Sequence, residues 1–344
     1  MTTAPARGSD GRGGAQPGIS ALIATFNRAA YLRQALEALR LQTLARALFE
    51  VIVVDDGSND DTPSVVRSFA RDLPILHLQQ PNGGVAAARN RALAAAKAPI
   101  VLFLDDDDVA DPGLLSEHVR AHEERPEDST AVLGYTGLAE ELKLLPLMHY
   151  LTEVGYQLFF YAGLSAGQEL DFSYFWGGRT SAKREFLLRH GGFNPVFRFG
   201  CEDIELAWRL SRHGLRVIYD PVARSTMTRA LSLADFWRRA ELVGGSQWVF
   251  AKLHREEGPR PHTVPPDLEH RWRDLRIRCP SIMASARHLD RIALARVSAG
   301  LDLDPGFLAL LHNAYWLSIG CMQAKGAYDQ SRAADSTASD FQGS

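Results

Sequence analysis

Short apolar runs alternate with helical patterns between residues 19 and 111, and this alternation limits the folds open to the chain. The run VIVV at 51–54 is continuous and β-branched, which is typical of a strand covered on both faces. Between residues 31 and 39, apolar side chains recur at the spacing of a helix that buries one face. Strands that alternate with helices predict an α/β fold, with a mostly parallel sheet flanked by helices.

Mostly polar side chains follow three of these predicted strands, at the point where each strand ends. They are Thr25, Phe26 and Asn27 after the first strand, Asp55 and Asp56 after the second, and Asp105, Asp106, Asp107 and Asp108 after the run IVLFL. In open parallel sheets, ligands bind beyond the carboxyl ends of the strands. We therefore expect these residues to share one site.

The four consecutive aspartates, residues 105–108, require an explanation. Two like charges 4 Å apart repel by about 1 kcal/mol even in bulk water. A solvated acidic turn would tolerate this repulsion, and a bound cation would remove it. The first predicted strand is followed by ATFNRAAYL, without the glycines of a dinucleotide-binding turn, and the sequence has no P-loop motif. Acids can contact phosphates through a divalent cation, held by one or two carboxylates and by diphosphate oxygens.

Composition disfavours several classes of protein. The net charge of -3 gives no reason to expect a nucleic-acid partner. The three cysteines lie far apart, without disulfide or zinc spacing, which favours a reducing compartment and hence a cytoplasmic protein. The N-terminal residues lack the apolar core of a signal peptide, and no stretch has the length and apolarity of a membrane span. Peripheral attachment to a membrane surface is left open by the aromatic and basic helical segments.

Five motifs occur in a specific order: SALIATFNR, VIVVDDGSNDDT, PNGGVAAARNRAL, VLFLDDDD and, further on, GGF followed by GCEDIELAWRLSRHG. In this order they resemble the family 2 glycosyltransferases of the GT-A fold, over residues 19–221. The resemblance implies an inverting transfer of a sugar from a nucleotide-diphosphate sugar, with a UDP-sugar as the expected donor. The implied acceptor carries a hydroxyl on a glycan, a lipid-linked glycan, a protein or a small molecule.

The resemblance also implies which residues bind the nucleotide. The matching positions are Thr25, Phe26, Asn27, Arg28, Asp55, Asp56, Arg89, Asp105 and Asp106. Among them, Asp55 and Asp56 match the acids that contact the uracil or the ribose. Asp105 and Asp107 match the D-x-D pair that holds the metal, so Mn²⁺ or Mg²⁺ is the implied cofactor.

The later motifs imply the residues of the transfer step. Asp203 matches the general base, within the pair Glu202 and Asp203 at the start of a predicted helix. A simpler interpretation is that both acids only cap that helix. The residues that match the loop beside the donor sugar and the acceptor are Trp176, Gly177, Gly178 and Arg179.

Two departures from the family pattern concern the site. Arg179 stands where an amide side chain is common, and a cation there suits an anionic sugar or a phosphate. Many members carry a histidine metal ligand near the position of Met227, where this chain has none. A thioether is a poor ligand for a hard cation, so the sequence predicts weak or dispensable metal binding.

The predicted organisation has four parts. A flexible tail covers residues 1–18, and the GT-A domain covers 19–230, with a nucleotide half at 19–111 and an acceptor half at 131–230. A helical C-terminal extension covers 231–326, and a second flexible tail covers 327–344. Two other functions stay open, namely an inactive nucleotide-sugar-binding partner protein and a nucleotidyltransferase. The sequence leaves a homo-oligomer open.

Overall fold

A computed structural model of the chain describes residues 16–254 and 268–340. The strands are β1 Ile19–Thr25, β2 Phe49–Asp55, β3 Ile75–Gln79, β4 Ile100–Phe103, β5 Asp108–Ala110, β6 Thr130–Leu138, β7 Glu169–Leu170, β8 Thr180–Lys183 and β9 Arg216–Met227. The α-helices are α1 Ala29–Arg40, α2 Thr62–Ser68, α3 Val85–Ala95, α4 Leu114–Glu124, α5 Glu140–Lys143, α6 Pro146–His149, α7 Arg184–Arg189, α8 Glu202–Ser211, α9 Leu233–Leu253, α10 Leu268–Ser298 and α11 Pro305–Asp340.

The strands form one sheet in the order β3-β2-β1-β4-β8-β6-β9-β5, and β7 pairs with β9. The strands β3, β2, β1 and β4 are mutually parallel, as the alternating pattern predicts, whereas the other half of the sheet is mixed. Thr25 pairs with Asp55, and Leu22 pairs with Phe103, so β1, β2 and β4 end at the same edge. The predicted α/β class with flanking helices is confirmed.

Both faces of the parallel half are buried, which explains the continuous apolar runs. In β2, Val51 and Val53 belong to the core on one face, and Ile52 and Val54 belong to the core on the other. A strand that is covered on both faces has no polar alternation, because each side chain enters one core or the other.

The C-terminal helices α9, α10 and α11 form a third core with residues near the end of β9. Two glycines bring the backbones of α9 and α11 together. A Cβ on Gly326 would lie 1.7 Å from the Glu241 carbonyl oxygen, and one on Gly244 would lie 2.0 Å from that of Gln323. A side chain at either position would push the two helices apart. The predicted helical extension is therefore present and packed against the rest of the chain.

Two sequence predictions differ from the structure. The predicted tail at 327–344 is wrong for most of its length, because α11 continues to Asp340 and the side chains of Ala327 and Ser331 are buried. The aromatic-rich sequence of residues 131–179 predicts helices, but this segment holds all except the first residue of the nine-residue strand β6, the short strand β7 and only short helices. Most of the predicted N-terminal tail, residues 1–15, lies outside the described residues. None of the described helices combines the length and apolarity that crossing a bilayer requires.

Candidate active site

A cavity of about 780 Å³ lies beyond the carboxyl ends of the parallel strands. It brings together most of the residues predicted for the site, namely Thr25, Phe26, Arg28, Asp56, Arg89, Asp105, Asp106, Asp107, Trp176, Gly177, Gly178, Arg179, Glu202 and Asp203. Asn27 and Asp55 lie beside it. Asp55 accepts hydrogen bonds from the backbone of Ser58 and from Gln79, and Asn27 accepts one from the backbone of Asn59. These contacts shape the loops behind the cavity.

Asp56 fixes the glycine turn that precedes α3. Its Oδ1 accepts hydrogen bonds from the Gly83 amide at 2.8 Å and from Gln80 Nε2 at 2.7 Å, and its Oδ2 accepts one from the Gly84 amide at 2.8 Å. Gly84 has a φ of +89°, a backbone conformation that residues other than glycine rarely adopt. The carboxylate thus holds the turn from which α3 carries Arg89 into the cavity.

Residues 105–108, which we call the acidic tetrad, are not a solvated turn. Three of the four carboxylates are buried, and the Asp105 side chain is 36% exposed. Each member faces a guanidinium, in the pairs Asp105–Arg89 at 3.2 Å, Asp106–Arg28 at 2.8 Å, Asp107–Arg229 at 2.5 Å and Asp108–Arg179 at 3.6 Å. Arginines therefore offset much of the repulsion within the tetrad before any ligand binds.

The pKa values of Asp105, Asp106 and Asp108 diverge, because burial and the nearby arginines affect each of these carboxyl groups to a different extent. Burial raises the pKa of Asp108 to about 8 and that of Asp106 to about 6, and the nearby arginines only partly oppose this. Burial would also raise the pKa of Asp105, but Arg89 and Arg179 outweigh it and hold that pKa below its usual range. Asp105 therefore remains an anion at neutral pH, and it is the most exposed member of the tetrad.

The acids Glu202 and Asp203 begin α8 and also line the cavity. Glu202 Oε1 accepts a hydrogen bond from Arg89 at 2.8 Å, while its Oε2 is buried without a partner among the described residues. Burial and the neighbouring Asp203 raise the pKa of Glu202 to about 7. Asp203 is half-buried, and its Oδ2 accepts a hydrogen bond from the Gly177 amide at 3.0 Å. Arg89, which also contacts Asp105, links the two acidic groups of the cavity.

The glycines of the loop 176–179 allow its backbone to lie directly against charged side chains. A Cβ on Gly178 would lie 2.0 Å from Asp105 Oδ2, and a Cβ on Gly177 would lie 2.4 Å from Arg89 Nη1. The Trp176 ring packs against Tyr174 at 5.4 Å between centroids, and it lines the cavity. The Arg179 guanidinium lies 3.5 Å from Asp105, 3.6 Å from Asp108 and over the Phe159 ring.

Three further arginines, Arg198, Arg229 and Arg239, line the cavity although the sequence motifs do not include them. Arg239 comes from α9, in the C-terminal extension, and lies over the Phe199 ring at 5.0 Å. Its sequence, FWRRAEL, has the pattern of an ordinary amphipathic helix, so only the packing of α9 against the cavity identifies it. Arg229 follows β9, two residues after Met227. The family pattern has a histidine near this point, so the motif does not identify the arginine.

The acids of the cavity fit a divalent cation only together with oxygens from a ligand. The described residues contain no cluster of three His, Cys, Asp or Glu side chains able to hold a metal ion. Asp107 Oδ1, however, accepts no hydrogen bond within the described ranges, because Arg229 and Arg28 both approach Oδ2. Mg²⁺ and Mn²⁺ commonly bind one or two carboxylates plus diphosphate oxygens. Asp105 and Asp107 would supply the carboxylates.

The sequence of the chain is similar to a known protein family and to proteins named as glycosyltransferases. The family model Glycosyl transferase family 2 matches residues 20–187. Validoxylamine A glucosyltransferase of Streptomyces hygroscopicus subsp. jinggangensis (strain 5008) is 36% identical over 222 residues, which cover 58% of this chain and 52% of that protein. Pre-mycofactocin glycosyltransferase of Mycobacterium tuberculosis is 30% identical over 247 residues, covering 70% of this chain and 48% of that protein. The chain spans about half the length of these curated relatives.

Solved structures share the whole architecture. The mannosyltransferase PcManGT of Pyrobaculum calidifontis, in complex with GDP-Man and Mn²⁺, has a TM-score of 0.55 and 24% identity, covering 92% of this chain and 87% of that one. Staphylococcus aureus TarS 1–349 in complex with UDP has a TM-score of 0.50 and 20% identity, covering 91% of each chain. At these identities the likeness shows the fold alone, which is the GT-A fold. Over residues 20–187, the chain is similar to the family 2 glycosyltransferases.

Proposed function

We propose that this protein transfers a sugar from a nucleotide-diphosphate sugar to an acceptor hydroxyl, with inversion at the anomeric carbon. The observation that carries the proposal is one cavity lined both by Asp105, Asp106 and Asp107 of the acidic tetrad and by Asp203. The first group suits a diphosphate bound through a cation, and the second suits a proton acceptor. The relatives named as glycosyltransferases support the reaction type.

In the proposed step, Asp203 accepts the proton of the acceptor hydroxyl as its oxygen attacks the anomeric carbon. The bond from that carbon to the diphosphate oxygen breaks, and the nucleoside diphosphate leaves with the bonding electrons. A divalent cation, when bound, would neutralise charge on the departing diphosphate. Arg28 and Arg89 hold the tetrad carboxylates in place, and the hydrogen bond from Gly177 orients Asp203.

We further propose that the donor is a UDP-sugar and that the metal is Mn²⁺ or Mg²⁺. The structure of TarS with UDP supports the nucleotide assignment, and the structure of PcManGT with Mn²⁺ supports the metal assignment. The nucleotide half at 19–111 would bind the donor, and the half at 131–230 would contribute the base. Residues 231–326 would complete the acceptor side, because α9 carries Arg239 into the same cavity.

Donor screening tests this proposal directly. The purified protein is mixed with UDP-, GDP- and other nucleotide sugars, with and without Mn²⁺, and its melting temperature is recorded. A ligand that binds only the folded protein raises the melting temperature, so the screen identifies the base and the sugar together. Nucleotide release with an acceptor panel then measures turnover. A donor that binds without any release of nucleotide, even when water is the only sugar acceptor, would instead favour the inactive binding protein.

A further inference from the structure

Arg229 occupies one oxygen of the acid that the proposed metal site requires. Its Nε donates a hydrogen bond to Asp107 Oδ2 at 2.5 Å, and Arg28 Nη1 lies 3.5 Å from the same oxygen. The Asp107 side chain is 6% exposed and the Arg229 side chain 21% exposed, so water screens this pair only in part. The pair therefore differs from an ordinary surface ion pair.

The backbone holds Arg229 against the tetrad. The amide of Thr228 donates a hydrogen bond to the Asp107 carbonyl oxygen at 2.9 Å, and the Thr228 hydroxyl donates to the same carbonyl at 3.2 Å. One residue before, Met227 pairs with Asp108 in the β5–β9 ladder. The two residues that precede Arg229, Met227 and Thr228, are thus both fastened to the tetrad, and this limits the freedom of Arg229 to leave.

A second cation at Asp107 would have to bind beside this guanidinium. Asp107 Oδ1 is free of hydrogen bonds from the described residues, so the carboxylate keeps one oxygen for a metal ion. The repulsion between a divalent ion and a guanidinium on one carboxylate lowers the affinity for the ion. A bound diphosphate supplies negative charge to both cations, so it would offset this repulsion.

We infer that Arg229 acts as a resident cation on Asp107, which lowers the affinity of the site for a divalent metal ion in the absence of nucleotide and makes uptake of the ion depend on the nucleotide diphosphate. The inference rests on the metal-assisted part of the proposed function. In it, Arg229 is a positioning residue for the metal site and takes no part in the proton transfer. In the protein without nucleotide, the positive charge of Arg229 takes the place of a metal ion at Asp107.

The test measures binding of Mn²⁺ itself by electron paramagnetic resonance, since free Mn²⁺ gives a strong signal that is lost on binding. Wild type, Arg229→Gln and Arg229→Lys are titrated with Mn²⁺, each with and without UDP. Arg238→Ala is the matched control, because it removes one positive charge from an exposed position on α9, outside the cavity. Circular dichroism confirms that each variant is folded.

We expect Arg229→Gln to bind Mn²⁺ about tenfold more tightly than wild type in the absence of UDP. Arg229→Lys, which keeps the charge, and Arg238→Ala should resemble wild type. With UDP present, all four proteins should bind Mn²⁺. Equal Mn²⁺ affinity of Arg229→Gln and wild type without UDP, or weaker binding by Arg229→Gln, would overturn the inference while leaving the proposed function standing. Failure of every protein to bind Mn²⁺ even with UDP would overturn the inference and the metal-assisted function together.

Discussion

The backbone amide of Gly177 donates a hydrogen bond to Asp203 Oδ2 at 3.0 Å. This contact joins the loop beside the proposed donor sugar to the proposed base. The other oxygen of Asp203 accepts a hydrogen bond from the Ile204 amide at 2.8 Å. Asp203 is therefore held by two backbone donors, and its orientation depends on the fold of the loop rather than on a flexible side chain.

Replacing Asp203 by Asn should remove transfer and preserve nucleotide binding. The Asn side-chain oxygen can still accept the Gly177 hydrogen bond, so the loop keeps its place, but the amide cannot take a proton from the acceptor. We expect sugar transfer to fall by about 100- to 10,000-fold. Nucleotide release measures transfer, and calorimetry measures the UDP dissociation constant. Asp128→Asn, an exposed acid outside the cavity, is the control. Loss of UDP binding along with transfer would argue against a base role.

Replacing Asp107 by Ala should abolish the effect of Mn²⁺ on nucleotide binding. Wild type should bind UDP more tightly when Mn²⁺ is present, because Asp107 shares the ion with the diphosphate. In the variant, the UDP dissociation constants with and without Mn²⁺ should agree within a factor of about two. Asp111→Ala removes a half-exposed acid that lies outside the cavity, and should keep the full Mn²⁺ effect. If Asp107→Ala retained that effect, the metal assignment would be wrong.

Replacing Gly178 by Ala should disrupt the tetrad without unfolding the protein. The new Cβ would lie 2.0 Å from Asp105 Oδ2, so Asp105 would have to leave its position between Arg89 and Arg179. We expect UDP binding in Mn²⁺ to weaken by about tenfold, that is by about 1.4 kcal/mol. Gly320→Ala, where no atom lies within 4 Å of the added Cβ, serves as the control. Unchanged UDP affinity in Gly178→Ala would show that Asp105 is not needed for binding.

Two buried histidines should make folding stability fall in acid. Ser181 Oγ bonds to Nδ1 of His118 at 2.8 Å and to Nε2 of His122 at 2.9 Å. Burial lowers the pKa of each histidine to about 3. The unfolded chain takes up protons near pH 6.5 and the folded chain does not, so stability that is complete above pH 6.5 is lost as the pH falls towards 3. Each histidine should contribute up to about 1.4 kcal/mol per pH unit in that range.

Urea unfolding between pH 8 and pH 5 measures this loss. His118→Gln and His122→Gln should each lose less stability over that range than wild type, because one titrating group is absent. His288→Gln, at an exposed position on α10, should follow the wild-type curve. Parallel curves for all four proteins would mean that the buried pair does not control the acid response.

The parallel half of the fold could be predicted because its signals are local. The run at 51–54 and the acids after it identify β2 and its carboxyl end without any distant contact. The mixed half could not be predicted in the same way. The strand β6 pairs with β8 and β9, which lie about 50 and 90 residues further along the chain, and its own sequence does not indicate these partners. Long-range pairing of this kind leaves no short-range pattern.

The lining of the cavity was predictable where a motif marks the end of a strand or the start of a helix, as at Asp107 and Asp203. It was not predictable where a residue reaches the cavity through tertiary packing, as Arg229 and Arg239 do. The sequence also suggested that the tetrad needs a cation, but its arginine partners were not visible, since each comes from a different element. Charge balance in a buried site depends on neighbours in space, and only the folded chain defines them.

The near-contact of α9 and α11 at Gly326 and Glu241 links the packing of α11 to the candidate active site. Arg239 sits two positions before Glu241 on the same helix, and its guanidinium reaches the cavity. A single added methyl group at Gly326 would therefore displace α9, and with it a cation that lines the cavity. Under the proposed function, sequence variation in the C-terminal helices would then change the choice of acceptor without any change in the motifs of residues 19–221.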